Sequence, residues 1–468
     1  MPSFELLING KMVPGVGTLD VINPATESLA GSCSRASESQ LDEAVEAANG
    51  ALANWSATSI EERRRAIEQV ADIVTANAEE LGSILTSEQG KPLAEAIGEA
   101  HGFAMFTRHF AAMDLPVEIL EDSDVRRVEI HRSPLGVVAA IVPWNFPLIL
   151  LGFKLGPALM AGNTLVVKPA PTTPLSTLRL AELVKDALPP GVLNVIADAN
   201  DLGSKISGHP KIRKISFTGS SATGAKVMAG AAETLKRITL EMGGNDAGLI
   251  LGDVDPKEIA PKIFAAAFPN NGQVCIAMKR VYAHEDIYDA LCDELAAIAK
   301  SKKIGDGTEA GIDLGPLQNK AQYDKVKAII ADAADKGTII AGGRAPDRPG
   351  YFIEPTIVRD IAEGARLVDE EQFGPALPII KFRDPEEALA RINRTAEGLG
   401  GSVWSSDAEA ARDLAVRLDA GTVWVNKHGE LDPGIPFSGA KQSGVGTELG
   451  RAGLEEFTQR RVINISSS

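Results

Sequence analysis

Of the chain's three cysteines, one stands where a nucleophile could work. Cys275 lies in FPNNGQVCIAMKR, after Gly272 and ahead of the cationic pair Lys279 and Arg280. The Gly, Asn and Gln around it argue for a loop, and loops carry chemistry disproportionately. Cys33 and Cys292 read as small buried hydrophobes, Cys292 falling at a core position of an amphipathic helical stretch. A thiol nucleophile needs a partner that deprotonates or orients a reactant. His101, His109, His131, His209, His284 and His428 form no motif with Cys275, which leaves a Cys-His hydrolase as a second reading. The other partner is a carboxylate: in LEMGGNDAG, Glu241 ends an apolar strand just before Gly243 and Gly244. Those glycines permit close backbone approach or positive φ, which would hold the acid at a tight turn. An exposed strand-end glutamate is the plainer alternative. No HExxH, CxxC pair or EF-hand loop occurs, so no metal site is expected.

A second site type is suggested by IRKISF running into TGSSATG and then AKVMAGAAETLKR. Gly219, Ser220 and Gly224 sit where a strand becomes a helix, and free N–H groups at a helix N-terminus favour phosphate. The spacing is neither G-x-G-x-x-G nor a P-loop, so an ordinary strand-to-helix turn stays open. Lys168 ends the strand NTLVVK, at the edge where open α/β sheets bind ligands; a solvated surface lysine is its alternative.

These residues need elements to position them. Residues 60–85 repeat apolar positions at three and four residue spacing, marking amphipathic helix in a helix-rich N-terminal third. The runs GVVAAIV, NTLVVK, VLNVIA and KISF alternate with helical stretches such as 174–187, as βαβ units with a buried parallel sheet do. A second alternation from about Asp246 to Trp424 contains GLIL, RVYAH, TIIAGG, ALPIIKF and GTVWVN, and predicts another α/β domain. The segment VEILEDSDVRRVEIHR and the C-terminal RRVINIS alternate polar and apolar residues. They predict exposed strands that pair with each other or with a second subunit.

At 468 residues the chain exceeds one core and predicts two or more domains. A net charge of −16 argues against nucleic acid or anionic membrane as partner. The longest apolar stretch is broken by Pro143 and Pro147, so no membrane span is expected. An odd cysteine count and an N-terminus without a secretory pattern point to the cytoplasm.

Seven ordered motifs carry a resemblance: PWNFP at 143–147, VVKPAPTTPL at 166–175, FTGS at 217–220, LEMGGN at 240–245, GQVC at 272–275, EEQFGP at 370–375 and PFSGAKQSG at 436–444. Over nearly its whole length the chain resembles the aldehyde dehydrogenase superfamily, in its hydrolytic, non-acylating branch. The resemblance implies an α/β fold with a Rossmann-like cofactor domain at 1–117 and 137–242 and a catalytic domain at 243–432. Small β bridging and oligomerisation segments at 118–136 and 455–468 complete it. It implies Cys275 as nucleophile, Asn145 with the Cys275 N–H as oxyanion donors, Glu241 as general base, and Glu448 in the proton path unless it is a surface charge. It implies NAD held by Trp144, Lys168, Gly219, Ser220, Gly224, Gly243, Glu371 and Phe373. NADP stays open, because Pro171 stands where strict NAD users often carry a glutamate. Phe146, Leu150, Phe153, Ile276, Leu431 and Phe437 would line an apolar tunnel suited to aliphatic or aromatic aldehydes, though apolar residues also simply pack. A dimer or tetramer is implied. The competing classes are a thiol-dependent ester hydrolase and a catalytically silent homologue.

Overall fold

Strands buried on both faces read as unbroken apolar runs, and the central strands Val137–Ile141, Thr164–Lys168 and Leu193–Val195 are buried at every position. The computed structural model describes residues 3–466. Its first large sheet has eight strands in the order Gly444–Val445, Arg237–Glu241, Ile212–Thr218, Val137–Ile141, Thr164–Lys168, Leu193–Val195, Leu6–Ile8 and Lys11–Val13. The five middle strands are parallel, and the flanking ones join antiparallel. The second sheet has seven strands, in the order Thr338–Ala341, Thr356–Arg359, Ala376–Phe382, Arg280–His284, Ala247–Ile250, Gly400–Trp404 and Thr422–Val425. Both α/β regions expected from the alternation are therefore present. Among the described residues no helix is long and apolar enough to cross a membrane.

Several elements differ from their sequence reading. The 60–85 run is two helices, Ile60–Ala76 and Ala78–Gln89, because Asn77 leaves helical geometry and its side-chain amide donates to the Ile73 carbonyl at 2.7 Å. Five short strands precede the first long helix at Glu38, so the N-terminal third is not helical from its start. Thr356–Arg359 and Gly400–Trp404 were not expected: the first is short, and the second opens on glycines that read as a turn.

The exposed alternating segments pair within one chain, with Arg126–Pro134 between Glu118–Asp122 and Thr458–Ser466. The C-terminal strand begins at Thr458, because Gly450–Glu455 is helix; residues 467 and 468 of the expected segment lie outside the described residues. Between the second sheet and this strand the chain returns to the first sheet, where Gly444 pairs with Glu241.

Asn163 fastens these returns together. Its buried Oδ1 accepts from the Leu135 and Gly136 N–H groups at 2.7 and 3.0 Å, and its Nδ2 donates to the Ala158 and Phe457 carbonyls at 3.1 and 2.9 Å. Asn163→Ala leaves buried groups unpaired and is expected to lower stability by about 2–4 kcal/mol. A thermal midpoint unchanged from the parent protein would contradict that.

Candidate active site

From Val137–Ile141 the chain moves to Thr164–Lys168 on one side of the sheet, and from Ile212–Thr218 to Arg237–Glu241 on the other. Where strand order reverses in this way, a crevice opens at the carboxyl ends. A cleft of about 680 Å³ lies there, and its lining includes Trp144, Asn145, Gly219, Ser220, Gly243, Cys275, Glu371 and Phe373. Ser220 caps the helix Ser221–Ala232, its Oγ accepting from the Thr223 N–H at 3.4 Å. Trp144 meets Phe373 edge to face at 5.4 Å between ring centroids. Gly243 is needed for close approach rather than for positive φ: a Cβ there would lie 2.2 Å from Glu371 Oε2. The Glu371 carboxylate is oriented by the Gly244 N–H at 3.1 Å and by Lys279 at 3.3 Å.

Cys275 follows a turn in which Asn270, Asn271 and Gly272 have φ of 46°, 58° and 77°. Asparagine and glycine are the residues that tolerate this region most easily. The amides of Asn270 and Asn271 are both used, donating to the Asn145 and Gly315 carbonyls, each at 3.0 Å. Asn145 in turn donates from Nδ2 to the Gln273 carbonyl at 2.9 Å, which places its amide beside the cysteine turn. The Asn145 carbonyl also accepts from Lys91 Nζ at 2.8 Å, and Lys91 pairs with Glu99 inside the core. Lys279 donates to the carbonyls of Val274 and Cys275. Burial pushes the Cys275 thiol up to about 12, with Lys279 opposing.

Glu241 and Glu448 are both buried, which removes the surface readings of each. Glu448 pairs with Lys154 at 2.5 Å, and Lys154 also donates to Thr218 Oγ1 at 2.8 Å. Neither carboxylate oxygen of Glu241 has a hydrogen-bond partner among the described residues. Burial first, and the nearby Glu448 second, raise its pKa well above the usual carboxylate range, while Lys154 works the other way.

Some expected residues lie elsewhere. Gly224 is buried in its helix, where a Cβ would lie 2.4 Å from Met242 Sδ, so it serves helix-to-strand packing and does not line the cleft. Lys168 is buried rather than solvated and pairs at 2.7 Å with Asp198, which follows the next strand. Leu150, Phe153, Ile276 and Phe437 are core residues, with Phe146 and Leu431 packed against them. None of the six is among the residues that line the cleft. Lys91, Glu99, Lys154 and Asp198 were not singled out from sequence. Lys154 carried a visible signal, being the only charge in the apolar helix PLILLGFKLGPALM; the others had none.

Residues 13–463 match the profile described as the aldehyde dehydrogenase family. Phenylacetaldehyde dehydrogenase of Pseudomonas fluorescens is 39% identical over 99% of this chain and 96% of its own length. The NAD+ complex of an aldehyde dehydrogenase from Bacillus cereus superposes with a TM-score of 0.97 at 34% identity, covering 99% of this chain and 97% of that one. An NADP-dependent enzyme of E. coli gives the same TM-score and identity, covering 99% and 98%.

Cys33 and Cys292 are fully buried and also pushed up to about 12, while Cys275 faces the cleft. Iodoacetamide is therefore expected to label Cys275 alone, at a rate rising about tenfold per pH unit from neutral pH upward as the thiolate fraction grows. A second adduct on the folded protein, or a rate indifferent to pH, would count against this.

Proposed function

The chain belongs to the aldehyde dehydrogenase family, and from that premise we propose that it oxidises apolar aldehydes to carboxylic acids through a thioester on Cys275, with NAD as its preferred cofactor. The observation that carries this reading is the cleft that joins Cys275 and Asn145 to a helix N-terminus, with the unpartnered Glu241 carboxyl buried nearby.

As thiolate, Cys275 Sγ bonds to the aldehyde carbon and the carbonyl oxygen takes the negative charge. One Asn145 amide hydrogen is committed to Gln273, which leaves the other to meet that oxyanion together with the Cys275 N–H. The cofactor, when bound, supplies the oxidant that accepts hydride from this carbon. Glu241 then takes a proton from water, whose oxygen bonds to the thioester carbon as the C–S bond breaks and Cys275 leaves as thiolate. Lys154 and Glu448 stand next to Glu241 as the groups that pass its proton onward.

The cleft fits a dinucleotide. Ser220 and the N–H groups behind it suit the pyrophosphate, and Gly243 leaves room beside Glu371 that any side chain would fill. Asp198 supports NAD over NADP. Paired with Lys168, its buried carboxylate would repel a 2′-phosphate brought near that lysine, although Pro171 itself would not. The phenylacetaldehyde named for the Pseudomonas relative supports an aliphatic or aromatic substrate. The exposed apolar side chains Ile119, Leu120, Val462 and Ile465 on the three-stranded sheet support assembly into a dimer or tetramer. Three unpaired cysteines support a reducing compartment such as the cytoplasm.

Absorbance at 340 nm, with aliphatic and aromatic aldehydes and either cofactor but no CoA, should rise with the parent protein and not with Cys275→Ala. Esterase activity without any cofactor reduction would favour the hydrolase instead. Glu241→Gln should release about one equivalent of reduced cofactor and then stall. Because the Glu241 pKa is raised, its base form is lost as pH falls through that value, so steady-state turnover should climb with pH while the amplitude of the Gln variant's burst stays near one equivalent. Asp198→Asn should raise kcat/KM for NADP relative to NAD by about tenfold, and an unchanged ratio would remove Asp198 from cofactor choice.

A further inference from the structure

The turn that carries Cys275 exposes three successive carbonyls to the interior, and each is held. The Ala277 N–H closes the turn on the Val274 carbonyl at 3.2 Å, and Lys279 donates to the carbonyls of Val274 and Cys275 from one side. The Ile276 carbonyl is held from the other side by His428, whose Nε2 lies 3.0 Å away on the loop after the strand Thr422–Val425. A carbonyl can only accept, so the proton is on Nε2 and Nδ1 must accept. Its donor is Ser402 Oγ at 2.9 Å, and that hydroxyl in turn accepts from Trp404 Nε1 at 2.9 Å. The result is one directed chain, from indole to hydroxyl to imidazole to the peptide following Cys275. The ring is fully buried, and burial pushes it down to about 3, so it stays neutral. The titratable groups that face it are Lys279 and Asp246, whose Oδ2 lies 3.9 Å away and whose own carboxyl burial pushes up to about 7.

We propose that His428 is a positioning residue for the nucleophile, its Nε2–H fixing the Ile276–Ala277 peptide so that the Cys275 thiol and N–H keep their aim at the oxyanion. This rests on Cys275 being the nucleophile of aldehyde oxidation. His428→Phe fills the same space without a donor, and His428→Gln restores one.

With the Phe variant, kcat should fall by about 10–100-fold while KM for the cofactor stays within about twofold. Alkylation of Cys275 by iodoacetamide should rise severalfold, because the thiol is freed rather than removed. The Gln variant should recover most of the parent kcat. In ¹⁵N-histidine spectra of the parent protein, the His428 ring should be the Nε2–H tautomer and should not titrate near neutral pH. A Phe variant with parent kcat overturns the proposal. So does a parallel loss of turnover and alkylation, or an Nδ1–H ring. If the parent protein oxidises no aldehyde, the functional reading fails instead, while the alkylation and tautomer measurements still decide the role of His428.

Discussion

Lys91 is buried to the tip of its side chain, and a charge so placed must be paired and fully hydrogen-bonded. It meets the Glu99 carboxylate, the Asn145 carbonyl and the face of the Phe146 ring, 3.6 Å from its centroid. The other Glu99 oxygen accepts from the Leu148 and Ile149 N–H groups at 2.8 and 3.3 Å, at the start of the helix Pro147–Met160. One ion pair therefore fixes where the central strand ends, where the next helix begins, and how the Asn145 peptide is turned between them. Since Asn145 and Asn270 are bonded to one another, the position of the cysteine turn follows from the same pair. Breaking either half would leave an uncompensated charge in the core, so its geometry is strongly determined.

The carboxylates show the opposite use of burial. Glu448 is paired with Lys154, whereas Glu241 has no hydrogen-bond donor among the described residues and burial drives it toward its protonated form. Two acids of the same kind, near one another, are thereby given different partners, and the one left without a donor is the one placed to take a proton from water.

The parts of this arrangement visible in the sequence were those with local signatures. The strand ends at Lys168 and Glu241, the loop character of Cys275 and the strand-to-helix turn around Gly219 and Ser220 all follow from periodicity, glycine placement and apolar runs. Glu241 and Glu448 could not be told from surface acids, because burial is a tertiary property. The partners of the buried cations Lys91 and Lys154 and of the Asp198 carboxylate were invisible, since they lie 8, 294 and 30 positions away along the chain. His428 was read as unrelated to Cys275 for the same reason: 152 positions separate it from Ile276, and only the second sheet brings them together. Asn77 failed in another way, as the hydrophobic period continued across a break that one side-chain amide creates.

The chain completes its first sheet only after the second, and the three-stranded sheet after both. Val445 and Gly444 brace the strand ending in Glu241, Glu448 follows immediately, and Thr458–Ser466 closes on strands laid down more than three hundred residues earlier. During synthesis, then, a chain that has already exposed its cysteine turn still lacks both the brace beside the general-base position and the acid that pairs with Lys154. Interrupted translation would yield a thiol without its relay, so catalytic competence arrives with the stretch that follows the second sheet rather than accumulating domain by domain.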